Sequence, residues 1–98
     1  MEMPAFIVLG KFTQKGIENM KESPERLEAA RKVAKSAGGE IKEFYYTMGR
    51  YDFVAVCEAP DAESIMRSLY IISSDGAVRT ETLPATPATK AADMFKGL

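Results

Sequence analysis

The chain has 98 residues, 46% of them hydrophobic, a length and composition that predict one globular domain, residues 1–98, with a core over 5–83 and a tail over 84–98. Thirteen Lys and Arg stand against 14 Asp and Glu, for a net charge of -1, so no overall attraction to nucleic acid or to an anionic membrane is expected. Histidine is absent and cysteine occurs once, at Cys57, which excludes internal disulfides, zinc clusters of several cysteines and the commonest haem ligand.

Ala5–Phe12 reads as a strand with apolar residues on both faces, Phe6, Val8 and Phe12 on one and Ala5, Ile7 and Leu9 on the other. Thr13–Glu22 is a polar connection with one helical turn expected to bury Ile17 and Met20. Ser23, Pro24 and Glu25 then form a helix start, with Ser23 as cap. Leu27, Ala30, Ala34 and Ala37 supply a small-residue stripe, and Gly38-Gly39 ends the helix.

Glu40–Met48 and Phe53–Glu58 read as strands joined through Gly49-Arg50-Tyr51-Asp52. Glycine permits the positive φ of a type II′ turn, so a two-residue Gly49-Arg50 loop is expected, with Met48 facing Tyr51 and Thr47 facing Asp52. One hairpin face then carries Phe44, Tyr46, Met48, Phe53, Ala55 and Cys57 and is expected to be core. The other carries Glu43, Tyr45, Thr47, Asp52, Val54 and Val56 and resembles an interface or cavity lining.

Asp61 is placed to cap a second helix, with Ile65, Met66, Leu69, Tyr70 and Ile72 as its apolar stripe and Ser73–Gly76 as its stop. Ala77–Leu83 alternates as a last strand, Pro84–Pro87 is expected to break it, and Lys90–Leu98 forms a short helix with Ala91, Met94, Phe95 and Leu98 to dock. Strand, helix, strand, strand, helix, strand is the ferredoxin-like βαββαβ order, an α+β fold with a four-stranded antiparallel sheet and both helices on one face. The first strand's second apolar face would then lie uncovered, and a second copy packed sheet to sheet, as a dimeric α/β barrel, is the economical cover.

The run Met48-Gly49-Arg50-Tyr51-Asp52-Phe53-Val54-Ala55, with Asn19-Met20-Lys21, Ser23-Pro24 and Arg79-Thr80-Glu81-Thr82, resembles the GYD domain family. That resemblance covers residues 5–83 and implies a small homo-oligomeric dimeric barrel. Arg50 stands where an acidic residue is often found in the family's turn. The Gly-x-Tyr-Asp turn and the last strand are also similar to the ligand-binding domains of Lrp/AsnC regulators, which oligomerise and bind amino acids near the turn. This sequence has no helix-turn-helix segment, so no DNA binding is expected.

Candidate site residues are Gly49, Arg50, Tyr51, Asp52, Tyr45 and Thr47, for a small-molecule ligand or a subunit interface. Asp52 beside Tyr45 could serve as a general base or hold a ligand amine, or accept backbone N–H bonds and pin the turn. An alternative function is thus a cofactor-independent barrel enzyme, an oxygenase or isomerase, with Asp52 abstracting a proton. Arg79 with Glu81 is expected to form a cross-strand or inter-subunit pair, Asn19 and Lys21 to lie in a loop near a barrel mouth, and Cys57 to pack as a small hydrophobe. No cofactor or metal is expected. Without a signal peptide or a spanning segment, the expected location is the cytoplasm.

Overall fold

The computed structural model describes residues 3–98. Its elements are β1 (Ala5–Phe12), α1 (Gln14–Glu18), a single 3-10 turn (Met20–Glu22), α2 (Ser23–Ser36), β2 (Glu40–Tyr46), β3 (Phe53–Glu58), α3 (Ala62–Ser73), β4 (Val78–Ala85) and α4 (Ala88–Phe95). The four strands form one antiparallel sheet in the order β2-β3-β1-β4. This is the ferredoxin-like arrangement that the strand and helix order predicts.

The core lies between the sheet and the helices α2 and α3. Phe6, Val8, Ile41, Ala55 and Cys57 from the strands are buried with Ala30 and Ile65, and Leu27, Ala34, Phe44, Leu69 and Ile72 pack around them. Small residues on α2 allow it to sit close to the sheet. At Gly10 the ring of Phe53 occupies the space where a Cβ would stand. That close approach lets Phe53 stack on Phe44 (5.1 Å, 21°) and meet Phe12 at 5.5 Å.

The β2–β3 register matches the expected one: Tyr46 faces Phe53, Tyr45 faces Val54 and Phe44 faces Ala55. A bulge between Ile41 and Glu43 then shifts the pairing by one residue. Through that shift Ile41 turns into the core while Lys42 stays exposed.

Several expected burials are corrected. Met48, in the turn beyond the end of β2, is 97% exposed, and Tyr46 is half-exposed with its ring against Phe44. Ile17, Met20, Met66 and Tyr70 are likewise exposed, and on α3 the buried polar residue is Ser68. Ser68 satisfies itself on the Ser64 carbonyl at 3.0 Å, so it fits a buried face at no hydrogen-bond cost. Ser23 lies inside α2, since the 3-10 turn runs straight into that helix, and its hydroxyl meets Tyr46 Oη at 2.9 Å. The last strand continues through Pro84, which β4 tolerates as an edge strand. The C-terminal helix begins earlier than expected, at Ala88, and ends at Phe95. Its apolar Met94 and Phe95 are more than half exposed, and Leu98 beyond it is 97% exposed, so that end is undocked.

Asp61 does cap α3, accepting the Ser64 N–H at 2.8 Å. Hydrogen bonding from the Ser64 side chain, and then from its N–H, holds the Asp61 carboxyl below the ordinary 3.8. The native state therefore binds fewer protons than the unfolded chain at this residue. Its stabilisation is present above the ordinary value and fades as pH falls through the lowered one. Acid titration of the melting temperature is expected to show a smaller drop below pH ~4 in Asp61→Asn than in the native protein. An identical acid limb in both would assign the drop to other carboxylates.

Candidate functional site

The turn is built from backbone needs outward. Gly49 adopts φ +97°, a conformation that strains any residue with a side chain. Thr47 donates its N–H to the Asp52 carbonyl at 2.8 Å and its hydroxyl to the Tyr51 carbonyl at 2.7 Å. Asp52 then ties the hairpin to β1 twice. Its N–H donates to the Gly10 carbonyl at 2.7 Å, and its carboxylate Oδ2 accepts the Phe12 N–H at 2.9 Å. Asp52 thus pins the turn's exit to β1, and its half-buried carboxylate is already engaged. Asp52→Ala is expected to cost about 1–2 kcal/mol in urea unfolding, because it strands the Phe12 amide. Asp52→Asn keeps an acceptor and should cost less; equal losses would refute that account.

Tyr51 reaches across the sheet face that no helix covers. Its hydroxyl donates to Glu81 Oε1 on β4 at 2.9 Å, and Lys11 Nζ on β1 lies 5.8 Å from its ring centre. The Glu81 hydrogen bond raises the Tyr51 phenol above 10.0, while the nearby Arg50 guanidinium pulls the other way. Tyr45 gives its hydroxyl to the Glu43 carboxylate, which raises its pKa too. Both phenols are therefore neutral donors at physiological pH. Tyr45 and Asp52 direct their hydrogen bonds to different partners, Glu43 and Phe12.

Arg50, Tyr51, Lys11 and Glu81 form one cluster of mixed charge at the turn end of the open face. The sequence singled out Arg50 and Tyr51, and paired Glu81 with Arg79. It missed Lys11, whose alternation with Leu9 along β1 was the available signal. Beyond the cluster, Ile7, Leu9, Val54 and Val56 form a half-buried apolar strip, joined by Leu83 at 43% exposure.

The remaining candidates lie elsewhere. Asn19 closes α1 by donating its side-chain amide to the Lys15 carbonyl at 2.9 Å, and Lys21 is exposed in the 3-10 turn. Cys57 lines an apolar cavity of about 60 Å³ with Ile41, Ile65, Leu69 and Ile72 under the helices. Burial pushes its thiol up to about 11, so it is held in the unreactive protonated form. Among the described residues, no group of three or more His, Cys, Asp or Glu is placed to hold a metal ion, and no helix is long and apolar enough to cross a membrane.

Comparison with known proteins adds relatives to this geometry. The GYD domain model matches residues 6–95. A Thermus thermophilus protein named glutamine synthetase and cystathionine beta-lyase binding protein is 40% identical over 86 residues, which is 87% of this chain and 90% of that protein. A solved structure from Thermus thermophilus is 27% identical, with a TM-score of 0.55 over 88% of this chain and 96% of that one. The feast or famine regulatory protein of M. tuberculosis, solved with L-methionine, shares the fold at 17% identity and a TM-score of 0.67. That match covers 89% of this chain but only 52% of the regulator, so the chain spans about half of that protein's length.

Proposed function

Because the chain belongs to the GYD domain family, we propose that it is a homo-oligomeric binding module. Its open sheet face closes against a second copy, with the Gly49–Asp52 turn and the Tyr51 cluster at the rim. The observation that carries this reading is the strip Ile7, Leu9, Val54, Val56 and Leu83, which no helix covers. A two-fold pairing of that strip with itself removes it from water and leaves the charged groups at its end in reach of a ligand.

The rim suits a small molecule bearing both an amine and a carboxylate. Glu81 offers an acceptor, Lys11 and Arg50 offer cations, and Tyr51 sits between them as a neutral donor. The methionine held by the mycobacterial regulator supports that ligand class. The name of the Thermus relative supports a binding role of a second kind, toward other proteins. A proton-abstracting role for Asp52 finds less support, because its carboxylate is already taken by the Phe12 amide.

Native mass spectrometry of the purified protein at micromolar concentration is expected to give a dimer or a multiple of it. Melting temperature should rise with one or more amino acids in a panel, and Glu81→Gln should reduce that rise without dissolving the dimer. A monomer overturns the face-to-face assembly. A panel with no shift overturns the amino-acid ligand alone.

A further inference from the structure

We propose that α4 is a clasp, laid by each copy over the far end of a second copy. This presupposes the face pairing above and adds to it a segment outside the sheet. Helix length is the first ground. Isolated helices below about 12–15 residues are marginal in water, so the eight residues Ala88–Phe95 need packing to stay helical. Their own chain supplies little of it. Ala91 is half-buried, but Met94 and Phe95 are 57% and 62% exposed, and Leu98 just beyond is open to water. These four recur at the three- and four-residue spacing of one helical face, so the stripe of an amphipathic helix is left uncovered.

The position of α4 indicates its cover. Ala5 stands opposite Glu58 on one side and Ala85 on the other, and this row ends the open face farthest from the Gly49 turn. The row lines a groove of about 540 Å³ whose other wall is Lys90 and Met94 of α4. The helix is therefore a ledge at the end of the apolar strip, and a sheet laid on that strip abuts it. Area points the same way. A standard interface takes about 800 Å² from each partner, whereas the strip of Ile7, Leu9, Val54, Val56 and Leu83 leaves only roughly 300 Å² to be covered. Met94, Phe95 and Leu98 more than double it.

Charge complementarity selects a second copy and its orientation. Glu40 stands opposite Glu58, and Glu43 follows beyond the bulge, so these carboxylates outnumber Lys42 at the far end of the open face. At the turn end Lys11, Arg50 and Arg79 outnumber Asp52 and Glu81. Lys90 and Lys96 border the stripe of α4, and Lys96 meets Asp93 at 3.4 Å in an exposed pair that a further carboxylate can join. A two-fold axis along the strands brings the two far ends together and sets β4, with the helix that follows it, beside the partner's β2. The cations of α4 then approach the partner's Glu40 and the partner's Glu43. An axis across the strands would instead lay them on Lys11, Arg50 and Arg79, like charge on like.

The test is amide hydrogen exchange across residues 88–98 of the full chain. In the native dimer these amides should exchange at least about tenfold more slowly than in the Leu9→Glu monomer, or in native protein diluted until it dissociates. Equal protection in dimer and monomer would mean that α4 is held by its own chain. Equally fast exchange in both would leave it free for another protein or a lipid surface. Either result overturns the clasp. Phe95→Asp should raise the dimer dissociation constant roughly tenfold or more in sedimentation equilibrium, with the melting temperature of the monomer unchanged. Lys96→Glu should raise it severalfold at low salt, and a native value there overturns the acidic placement. A native protein that is monomeric overturns the face pairing itself. A dimer indifferent to Phe95→Asp overturns the clasp and leaves the face pairing standing.

Discussion

Gly10→Ala is expected to lower stability by about 1–3 kcal/mol, with Phe53 as the cause. An alanine Cβ at this position would overlap the Phe53 ring, which cannot retreat freely because Phe44 stacks on it and Phe12 meets it at an angle. Phe53→Ala should cost about 3–5 kcal/mol on its own, as a buried aromatic at the centre of that cluster. The informative measurement is the double-variant cycle in urea. With the ring removed, the added methyl has space, so Gly10→Ala in the Phe53→Ala background should cost little or nothing. Strict additivity would mean that Gly10 is required for its backbone and not for the ring above it. Because Gly10 also receives the Asp52 amide, the same variant is expected to loosen the turn, read as faster hydrogen exchange at Asp52.

Leu9→Glu should convert the face-paired assembly to monomer while leaving the fold intact. Leu9 sits mid-strip between Val54 and Glu81, and its side chain points away from the helical core. A carboxylate there would have to be buried against its own counterpart across the two-fold, near Glu81 of the same chain. Burying like charges without partners costs several kcal/mol, enough to raise the dissociation constant by a factor of about a thousand. In the isolated chain the same position is only half-buried, so the melting temperature of the monomer should change little. Sedimentation velocity reads the first effect and circular dichroism the second. A variant that remains dimeric would locate the principal interface elsewhere.

The hairpin was readable from sequence for a definite physical reason. Side chains on a strand alternate with period two, so once Gly49 places the turn, every cross-strand partner from Tyr46 back to Phe44 follows. The bulge near Lys42 was not readable, because an extra residue leaves no local mark beyond a charge where the core needs an isoleucine. β4 looked broken at Pro84 because a proline is disqualifying in a central strand and harmless at an edge. Which of the two applies depends on strand order, a property of the whole sheet.

The site divides along similar lines. Thr47 and Asp52 act within the hairpin and β1, and their backbone roles follow from turn chemistry. Tyr51 acts from the turn past β1 to β4, and no spacing in the chain encodes that reach. Met48 is exposed in the turn beyond β2, and Tyr70 on a side of α3 turned away from the buried Ile65 and Ser68. Periodicity assigns a face to a residue, but the extent of its cover is set by packing.

The single thiol has a bearing on the environments in which this protein can work. Cys57 lies under the helices, its thiol pushed up to about 11 by burial, and the proposed sheet-face contact does not include it. Oxidants therefore find no thiolate through which to staple two copies together or prise them apart. The proposed assembly therefore has no route to redox control through Cys57.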